Sequence, residues 1–282
     1  MKKQAQPPQT IPIPQEAFQA NDRTTLYWLG NSGLFMNSHG YCLMVDPVLE
    51  GFDLPLLINL PLAAKDVPSL DSLLFTHADN DHFSLPTVEK ILPITKAVHA
   101  PHYVAGLVQE TFQYPAIGHS IHETIVDGSI KITLTPADHL WQNARKNAQR
   151  VFQQEDFCGF WIETTDGSLW IPGDSRLLPE HLEMPQPDAI LFDFSDNEWH
   201  IGFDNAVLLA NTYPQADLIL SHWGTVDAPE MDVFNGDPQE LYGKVTNPKR
   251  IRVLVAGEPV QLKKNSHTIL ESPNKLRHRR LN

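Results

Sequence analysis

The chain has 282 residues, of which 41% are hydrophobic and 20% charged, as in an ordinary globular protein. Its formal net charge of −13 disfavours nonspecific binding to nucleic acid, so a nucleic-acid partner is not expected. The sequence holds no apolar stretch long enough to span a bilayer, and residues 1–14 lack the apolar region of a signal peptide. The two cysteines, Cys42 and Cys158, lie in apolar segments, which predicts reduced thiols in a cytoplasmic protein.

Charge and composition divide the chain into three parts. Residues 1–22 are rich in Gln and Pro and are predicted to be a poorly ordered lead-in. Residues 23–265 are predicted to form one domain, since they hold no internal repeat and no low-complexity linker. Residues 266–282 form a basic tail within a segment that carries a balance of +8 from Lys244 onward, against −21 before it. The tail either contacts an anionic partner or is solvated, and the sequence leaves homo-oligomer formation open.

In chain order, strands come first and a mixture of strands and helices follows. The predicted strands are residues 25–29, 33–36, 41–45, 69–76, 97–100, 129–135, 159–164, 168–171, 189–194, 218–220 and 252–256. The predicted helices are residues 84–91, 103–111 and 204–213, the first of them capped by Ser84. This order suggests two sheets with helices outside, an α/β (α+β) fold.

A dense group of metal-capable side chains follows the fourth predicted strand. His77, Asp79, Asp81 and His82 lie within six positions, directly after an apolar run. Histidine and carboxylate are ligands for zinc, manganese and iron. Alternation along an extended chain places the first three on one side, and His82 joins them if the chain turns there. The alternative is a solvated loop rich in turn-forming residues.

The same pattern, an apolar strand followed by a metal-capable side chain, occurs at three further strand ends. His139, Asp174 and His222 each follow an apolar strand. Functional side chains commonly lie on loops at strand ends in layered α/β proteins. One such histidine would be unremarkable, whereas four strand ends of this kind favour a metal centre.

With these motifs in order, residues 24–262 resemble the metallo-β-lactamase superfamily. Asp46 is similar to its first motif, residues 77–82 to its His-x-His-x-Asp-His motif, and His139, Asp174 and His222 to the later ones. Features around Asp46, His139 and His222 are similar to the branch of L-ascorbate-6-phosphate lactonase and N-acyl-phosphatidylethanolamine phospholipase D. The resemblance implies a four-layer αββα sandwich.

The resemblance also implies two divalent metal ions, zinc or manganese, with iron as a further option. It assigns His77, Asp79 and His139 to the first metal, and Asp81, His82 and His222 to the second, with Asp174 bridging them. The chain departs from the family where Asp79 replaces a histidine, which favours harder metals at the first site and leaves a single-metal enzyme open. It also departs at residues 30–33, where a Gly-His segment is replaced and a tight turn is expected to persist.

The implied function is a hydrolase that uses a metal-bound hydroxide on a small lactone, ester or phosphodiester, with an anionic substrate left open. Asp81 is the candidate to orient the hydroxide or take its proton. His200 is the candidate general acid or phosphate contact, with a surface histidine as the alternative. Asp46 is expected to fix a ligand histidine. An iron-dependent oxidoreductase of the same fold and a non-catalytic metal-binding protein remain alternatives.

Overall fold

The computed structural model describes residues 4–146 and 150–265, and within them the chain forms two seven-stranded sheets packed face to face. The first sheet has the order β14-β1-β2-β3-β4-β5-β6, and the second the order β13-β12-β11-β10-β9-β8-β7. In the first sheet β1 to β3 pair antiparallel and β3 to β6 parallel. In the second, β7 to β10 pair antiparallel and β10 to β13 parallel.

The strand and helix bounds follow the sequence patterns closely. The strands of the first sheet are β1 Thr24–Gly30, β2 Gly33–Ser38, β3 Tyr41–Val45, β4 Leu70–Leu74, β5 Thr95–Pro101, β6 Ile117–His119 and β14 Pro259–Gln261. Those of the second are β7 Thr124–Asp127, β8 Ile130–Pro136, β9 Cys158–Glu163, β10 Ser168–Ile171, β11 Ala189–Phe192, β12 Asp217–Leu220 and β13 Ile251–Arg252. The helices are α1 Leu85–Ile91, α2 His102–Phe112 and α3 Phe203–Thr212.

Alternation along the strands creates two packed layers on each sheet. Leu26 and Trp28 of β1 point into the core between the sheets, where they join Phe160 of β9. Tyr27 and Leu29 point to the other face, into the apolar cluster that includes buried residues of α1 and α2. Helix α3 packs on the outer face of the second sheet. The order of layers is helix, sheet, sheet, helix, which confirms the predicted four-layer sandwich.

Three short strands were not predicted, and one prediction was too long. Strands β6, β7 and β14 have three or four residues each. Strands β6 and β14 are defined by pairing with β5 and β1, and β7 by the short hairpin that it forms with β8. The predicted strand 252–256 is wrong beyond Arg252, because the chain leaves β12 there and crosses to the first sheet. Gly257 makes this crossing with a φ of 83°, and its N–H donates to the Trp28 carbonyl at 2.8 Å.

The segment before β1 lies against the domain. Ile13 and Ala17 are buried, and the Ile11 N–H donates to the Ala256 carbonyl at 2.9 Å. The predicted basic tail, residues 266–282, lies outside the described residues. None of the helices in the described ranges combines the length and the apolar character needed to cross a membrane.

Candidate metal centre

The structure brings the side chains predicted as metal ligands together at one end of the two sheets. The loop after β4 in the first sheet supplies one set, and loops after β8, β10 and β12 in the second sheet supply the other. The seven residues are His77, Asp79, Asp81, His82, His139, Asp174 and His222. The cluster therefore lies at the seam between the sheets, with ligands contributed from both sides.

The first group consists of His77, Asp79 and His139. The Asp79 Oδ2 atom lies 3.5 Å from His77 Nε2 and 3.4 Å from His139 Nε2. The three ligand atoms all lie within 4.8 Å of one another. Two imidazoles and one carboxylate at this spacing can hold one divalent ion.

The second group consists of Asp81, His82, Asp174 and His222, whose ligand atoms also lie within 4.8 Å of one another. Asp174 Oδ2 is 3.0 Å from His82 Nε2 and 3.4 Å from His222 Nε2. The same oxygen is 4.0 Å from His77 Nε2 in the first group. Asp174 therefore lies between the two groups, with one oxygen near histidines of both.

The turn at residues 79–83 brings His82 into the cluster, as the alternation pattern required. The N–H groups of His82 and Phe83 donate to the Asp79 carbonyl at 2.9 and 2.7 Å. Helix α1 begins directly afterwards, where the Ser84 side chain accepts from the Thr87 N–H at 3.4 Å. The reversal from strand to helix therefore places Asp79 and His82 on neighbouring sides of one pocket.

Asp46 organises one histidine from each group. Its carboxylate accepts from the Thr76 N–H at 2.8 Å, the Thr76 hydroxyl at 2.5 Å and His82 Nδ1 at 2.9 Å. Because the Thr76 hydroxyl donates its one proton to Asp46, it accepts from His77 Nδ1 at 2.9 Å. Both histidines thus carry Nδ1–H and leave Nε2 for the cluster. The expectation that Asp46 fixes a histidine agrees with these bonds.

Backbone carbonyls orient two further histidines in the same way. His139 Nδ1 donates to the Trp199 carbonyl at 2.8 Å, and His222 Nδ1 donates to the Val233 carbonyl at 2.9 Å. Among the described residues, the buried Nε2 atoms of His77 and His222 have no hydrogen-bond partner. A buried ring nitrogen is seldom left unpaired, so a bound cation fits this arrangement better than a protein partner.

The carboxylates and histidines of the cluster shift each other's pKa values toward their charged forms. Burial raises the pKa of Asp174, but the surrounding histidines, led by His82, outweigh burial and hold it well below its ordinary value. Burial lowers the pKa of His82 and His222, but the carboxylates, led by Asp174, raise both well above their ordinary value. In the metal-free protein these histidines therefore hold protons, which a divalent ion has to displace on binding.

His200 lies at the edge of the cluster and not on the surface. It is buried, and its Nδ1 donates to Asp193 Oδ2 at 2.8 Å. Its Nε2 lies 3.5 Å from Asp174 Oδ2. The surface alternative is therefore wrong, because His200 is buried and the Asp193 carboxylate holds its ring toward the cluster. Sequence reasoning missed Asp193, although it follows β11 in the same strand-end pattern as the other cluster residues.

The carboxylate of Asp79 is held by the segment after His139. Trp141 Nε1 donates to Asp79 Oδ2 at 2.6 Å, and Gln142 Nε2 donates to Asp79 Oδ1. The sequence pattern did not identify either residue as a partner of Asp79. These two donors satisfy both oxygens of the carboxylate that replaces the family histidine.

The second departure from the family pattern also reaches the cluster. Asn31 Nδ2 donates to Asp81 Oδ2 at 3.2 Å, and the Ser32 hydroxyl lies 3.1 Å from His82 Nε2. Gly30 keeps the positive φ of a tight turn, at 99°. The segment therefore keeps its turn, as expected, and in addition contacts two of the predicted ligands.

A cavity of about 600 Å³ opens above the cluster. Asp79, Asp81, His139 and Asp174 form part of its floor. Leu54 lines one side. A small molecule in this cavity would lie directly against the candidate ligands.

Comparison with known proteins follows this geometry. Residues 41–223 match the sequence model of the family described as beta-lactamase superfamily domain. The chain is 24% identical over 267 residues to a UPF0173 metal-dependent hydrolase of Thermodesulfovibrio yellowstonii, covering 89% of this chain and 96% of that protein. It is also 24% identical over 159 residues to a UPF0173 metal-dependent hydrolase of Ruegeria sp., covering 55% of this chain and 65% of the relative.

The fold is similar to that of Igni18, a metallo hydrolase from the archaeon Ignicoccus hospitalis. The TM-score is 0.65 at 19% identity, and the match covers 86% of this chain and 99% of Igni18. The two-sheet sandwich is thus a metallo-β-lactamase fold. The similarity to the specific lactonase and phospholipase branch stays a prediction.

Proposed function

Since the chain belongs to the beta-lactamase superfamily domain family, we propose that it is a metal-dependent hydrolase of a small lactone, ester or phosphodiester. One observation carries this proposal: seven metal-capable side chains converge, and two of their buried ring nitrogens have no hydrogen-bond partner among the described residues. The names of the two curated relatives, both metal-dependent hydrolases, support the same reading.

In this proposal two divalent ions are held by the two groups. His77, Asp79 and His139 hold one, Asp81, His82 and His222 hold the other, and Asp174 contacts both. Zinc and manganese suit this donor set, and the hard oxygen of Asp79 makes the first site tolerant of iron. When bound, such ions supply Lewis acidity toward a carbonyl or phosphoryl oxygen and lower the pKa of water.

Asp81 is proposed to orient the attacking water and to accept its proton. Its Oδ2 lies 3.5 Å from His222 Nε2 and accepts from Asn31 Nδ2 at 3.2 Å. The Asn31 bond fixes the carboxylate plane, so that one oxygen stays directed into the cluster. A carboxylate held in this way can orient water without losing its own position.

His200 is proposed to donate a proton to the leaving oxygen. The Asp193 carboxylate holds the Nδ1–H, so Nε2 is the atom directed at the reacting centre. The same pairing fixes the tautomer and the orientation of the ring, as an orienting carboxylate does in other acid–base pairs.

The first experiment is metal analysis of gently purified protein by inductively coupled plasma mass spectrometry. It is paired with turnover of γ-butyrolactone, p-nitrophenyl acetate and bis(p-nitrophenyl) phosphate. We expect close to two divalent ions per chain and metal-dependent hydrolysis of at least one substrate. One iron per chain without hydrolysis would favour an oxidoreductase, and protein without retained metal would favour a non-catalytic role.

The role of His200 is tested with His200→Gln. We expect turnover to fall by about 100-fold while the metal content stays at the wild-type level, since general acids typically contribute that much. His102→Gln is the matched control, because His102 is exposed and contacts only the Ser120 hydroxyl, at 3.4 Å, among the hydrogen bonds described. Equal activity of the two variants would remove His200 from the mechanism.

A further inference from the structure

The cavity above the metal cluster is walled by aromatic rings that come from separate parts of the chain. The six are Phe52, Tyr103, Trp141, Phe152, Trp199 and Phe234. Leu107 and Met231 add aliphatic surface between them. A volume of about 600 Å³ lies within the range of small-molecule sites, which are mostly apolar with a few polar groups.

Four of the six rings pack against one another in two pairs, independently of any ligand. Tyr103 and Phe152 form an edge-to-face pair with centroids 5.6 Å apart at 85°. Phe52 and Phe234 form a second such pair, 6.4 Å apart at 87°. Phe234 also stacks on the ring of His222, 5.4 Å away at 8°. An apolar wall therefore begins at a candidate metal ligand, and its geometry is fixed in advance.

Basic side chains are scarce in the lining of the cavity. Within the described ranges, Arg145 is the one lysine or arginine that lines the cavity, and it lies 5.3 Å from the centroid of the Trp141 ring. The exposed carboxylate Asp53 lines the same cavity, and the other lining carboxylates, Asp79, Asp81 and Asp174, are those proposed to hold the metal ions. A phosphate group is ordinarily recognised by paired arginine or lysine donors, and this lining offers one guanidinium beside Asp53.

Two neighbouring arginines are engaged elsewhere. Arg150 pairs with Asp156 at 2.6 Å and lies 3.7 Å from the centroid of the Tyr103 ring. Arg176 lies 4.2 Å from the centroid of the Trp199 ring and donates to the Glu198 carbonyl at 3.1 Å. Both guanidinium groups lie over rings of the aromatic wall, and neither lines the cavity.

Resting on the proposed hydrolase function, we propose that this site takes an uncharged lactone or ester bearing an aryl or similarly bulky apolar group, and discriminates against phosphorylated substrates. In the lactone case, water forms the new bond to the carbonyl carbon and the ring C–O bond breaks. The leaving oxygen takes a proton, and the product is a hydroxy acid that releases one proton to solvent. No oxidant or further reactant is required.

The substrate test uses the metal-loaded full chain and three lactones: γ-phenyl-γ-butyrolactone, D-glucono-1,5-lactone and its 6-phosphate. We expect kcat/KM for the phenyl lactone to exceed that for the phosphorylated lactone by about 100-fold, because burying one phenyl ring in the transition state raises kcat/KM by about that factor. A preference for the phosphorylated lactone would overturn the proposal.

The variant test uses Phe152→Ala, with Val151→Ala as its matched control. Val151 is the neighbouring residue, 72% exposed and outside the cavity lining. We expect Phe152→Ala to raise the ratio of KM for the phenyl lactone to KM for gluconolactone about tenfold, and Val151→Ala to keep that ratio at the wild-type value. Equal effects on both lactones would overturn the proposal.

A binding measurement separates this proposal from the hydrolase function. The ketone 3-phenylcyclopentanone has no ester bond, and its binding can be followed through the fluorescence of Trp141 and Trp199, which line the cavity. If 3-phenylcyclopentanone binds at least tenfold tighter than cyclopentanone but no lactone is turned over, the proposal of an apolar site stands and the proposal of a hydrolase is wrong. Equal binding of the two ketones would reject the apolar site, whatever the turnover.

Discussion

Replacing Asp46 with asparagine should weaken both metal sites although Asp46 is assigned to neither. Asp46 is 1% exposed and accepts three hydrogen bonds, two from Thr76 and one from His82. Asparagine keeps the shape but replaces one acceptor oxygen with an NH₂ donor. Because the Thr76 N–H is fixed in the backbone, the amide oxygen has to stay opposite it, and the NH₂ group then faces the Thr76 hydroxyl and His82 Nδ1.

That arrangement reverses the polarity of the network. His82 Nδ1 has to accept, which moves the ring proton to Nε2, and the Thr76 hydroxyl turns to donate to His77 Nδ1, with the same consequence there. Both Nε2 atoms are then protonated and cannot act as ligands. Loss of an outer hydrogen bond of this kind typically costs 10–100-fold in metal affinity, or about 1.4–2.7 kcal/mol per site.

The assay is competitive titration of the metal-free protein with Zn²⁺ against a chromophoric chelator. Asp53→Asn is the matched control, since it makes the same chemical change at an exposed position whose described partner is Asn80. Long-range ¹H–¹⁵N correlation spectra of the zinc-loaded protein report whether His77 and His82 keep Nδ1–H. Wild-type affinity at both sites in Asp46→Asn, or equal weakening in the control, would refute the polarity argument.

Three further predictions concern the support of the site and the body of the protein. Trp141→Phe removes the donor to Asp79 and should weaken binding of one metal equivalent about tenfold in the same titration, whereas tighter binding would mean that the indole competes with the metal. Burial, aided by a neighbouring histidine, lowers the pKa of His99 from 6.5 to about 4, so its contribution to stability is present above pH 6.5 and is lost as the pH falls through about 4. Urea denaturation of His99→Gln should therefore show a weaker loss of stability between pH 7 and pH 4 than the wild type, and parallel curves would contradict this. Gly173→Ala places a Cβ 2.6 Å from a backbone oxygen at a φ of 72°, whereas Gly128→Ala meets nothing within 4 Å at a φ of 58°. Gly128→Ala should lower the free energy of unfolding by about 1–2 kcal/mol, and Gly173→Ala should lower it by at least about 2 kcal/mol more. Equal losses in the two variants would show that the clash at residue 173 relaxes.

Much of the fold could be predicted because local pattern and tertiary environment agree. The strands that carry the cluster run apolar and are followed closely by a metal-capable residue, as β4 is by His77 and β12 by His222, and α1 begins after Ser84 with its expected cap. Strands β7 and β14 could not be predicted, since one is largely exposed and the other contains a proline. Strand β14 depends on pairing with β1 from the other end of the domain, and β7 depends on the hairpin that it forms with β8.

The predicted ligands were brought together, but their supports were largely invisible in the sequence. His200 is separated from Asp193 by seven positions, so that pair could have been suspected. The bond from Trp141 to Asp79 joins residues 62 positions apart, and it depends on how the segment after β8 folds over the cluster. A carboxylate in place of a histidine changes which donors are useful around it, and only the folded structure shows which donors are present.

The position of the cluster at the seam has a consequence for how the protein assembles. Its ligands begin at His77 in the first sheet and end at His222 in the second, so no early fragment of the chain contains a complete site. Metal can therefore not template the first folding events, which depend on local contacts and hairpins. Metal can bind only after the two sheets have packed together, and it has to dissociate before they separate. Chelation should accordingly speed unfolding far more than it slows refolding.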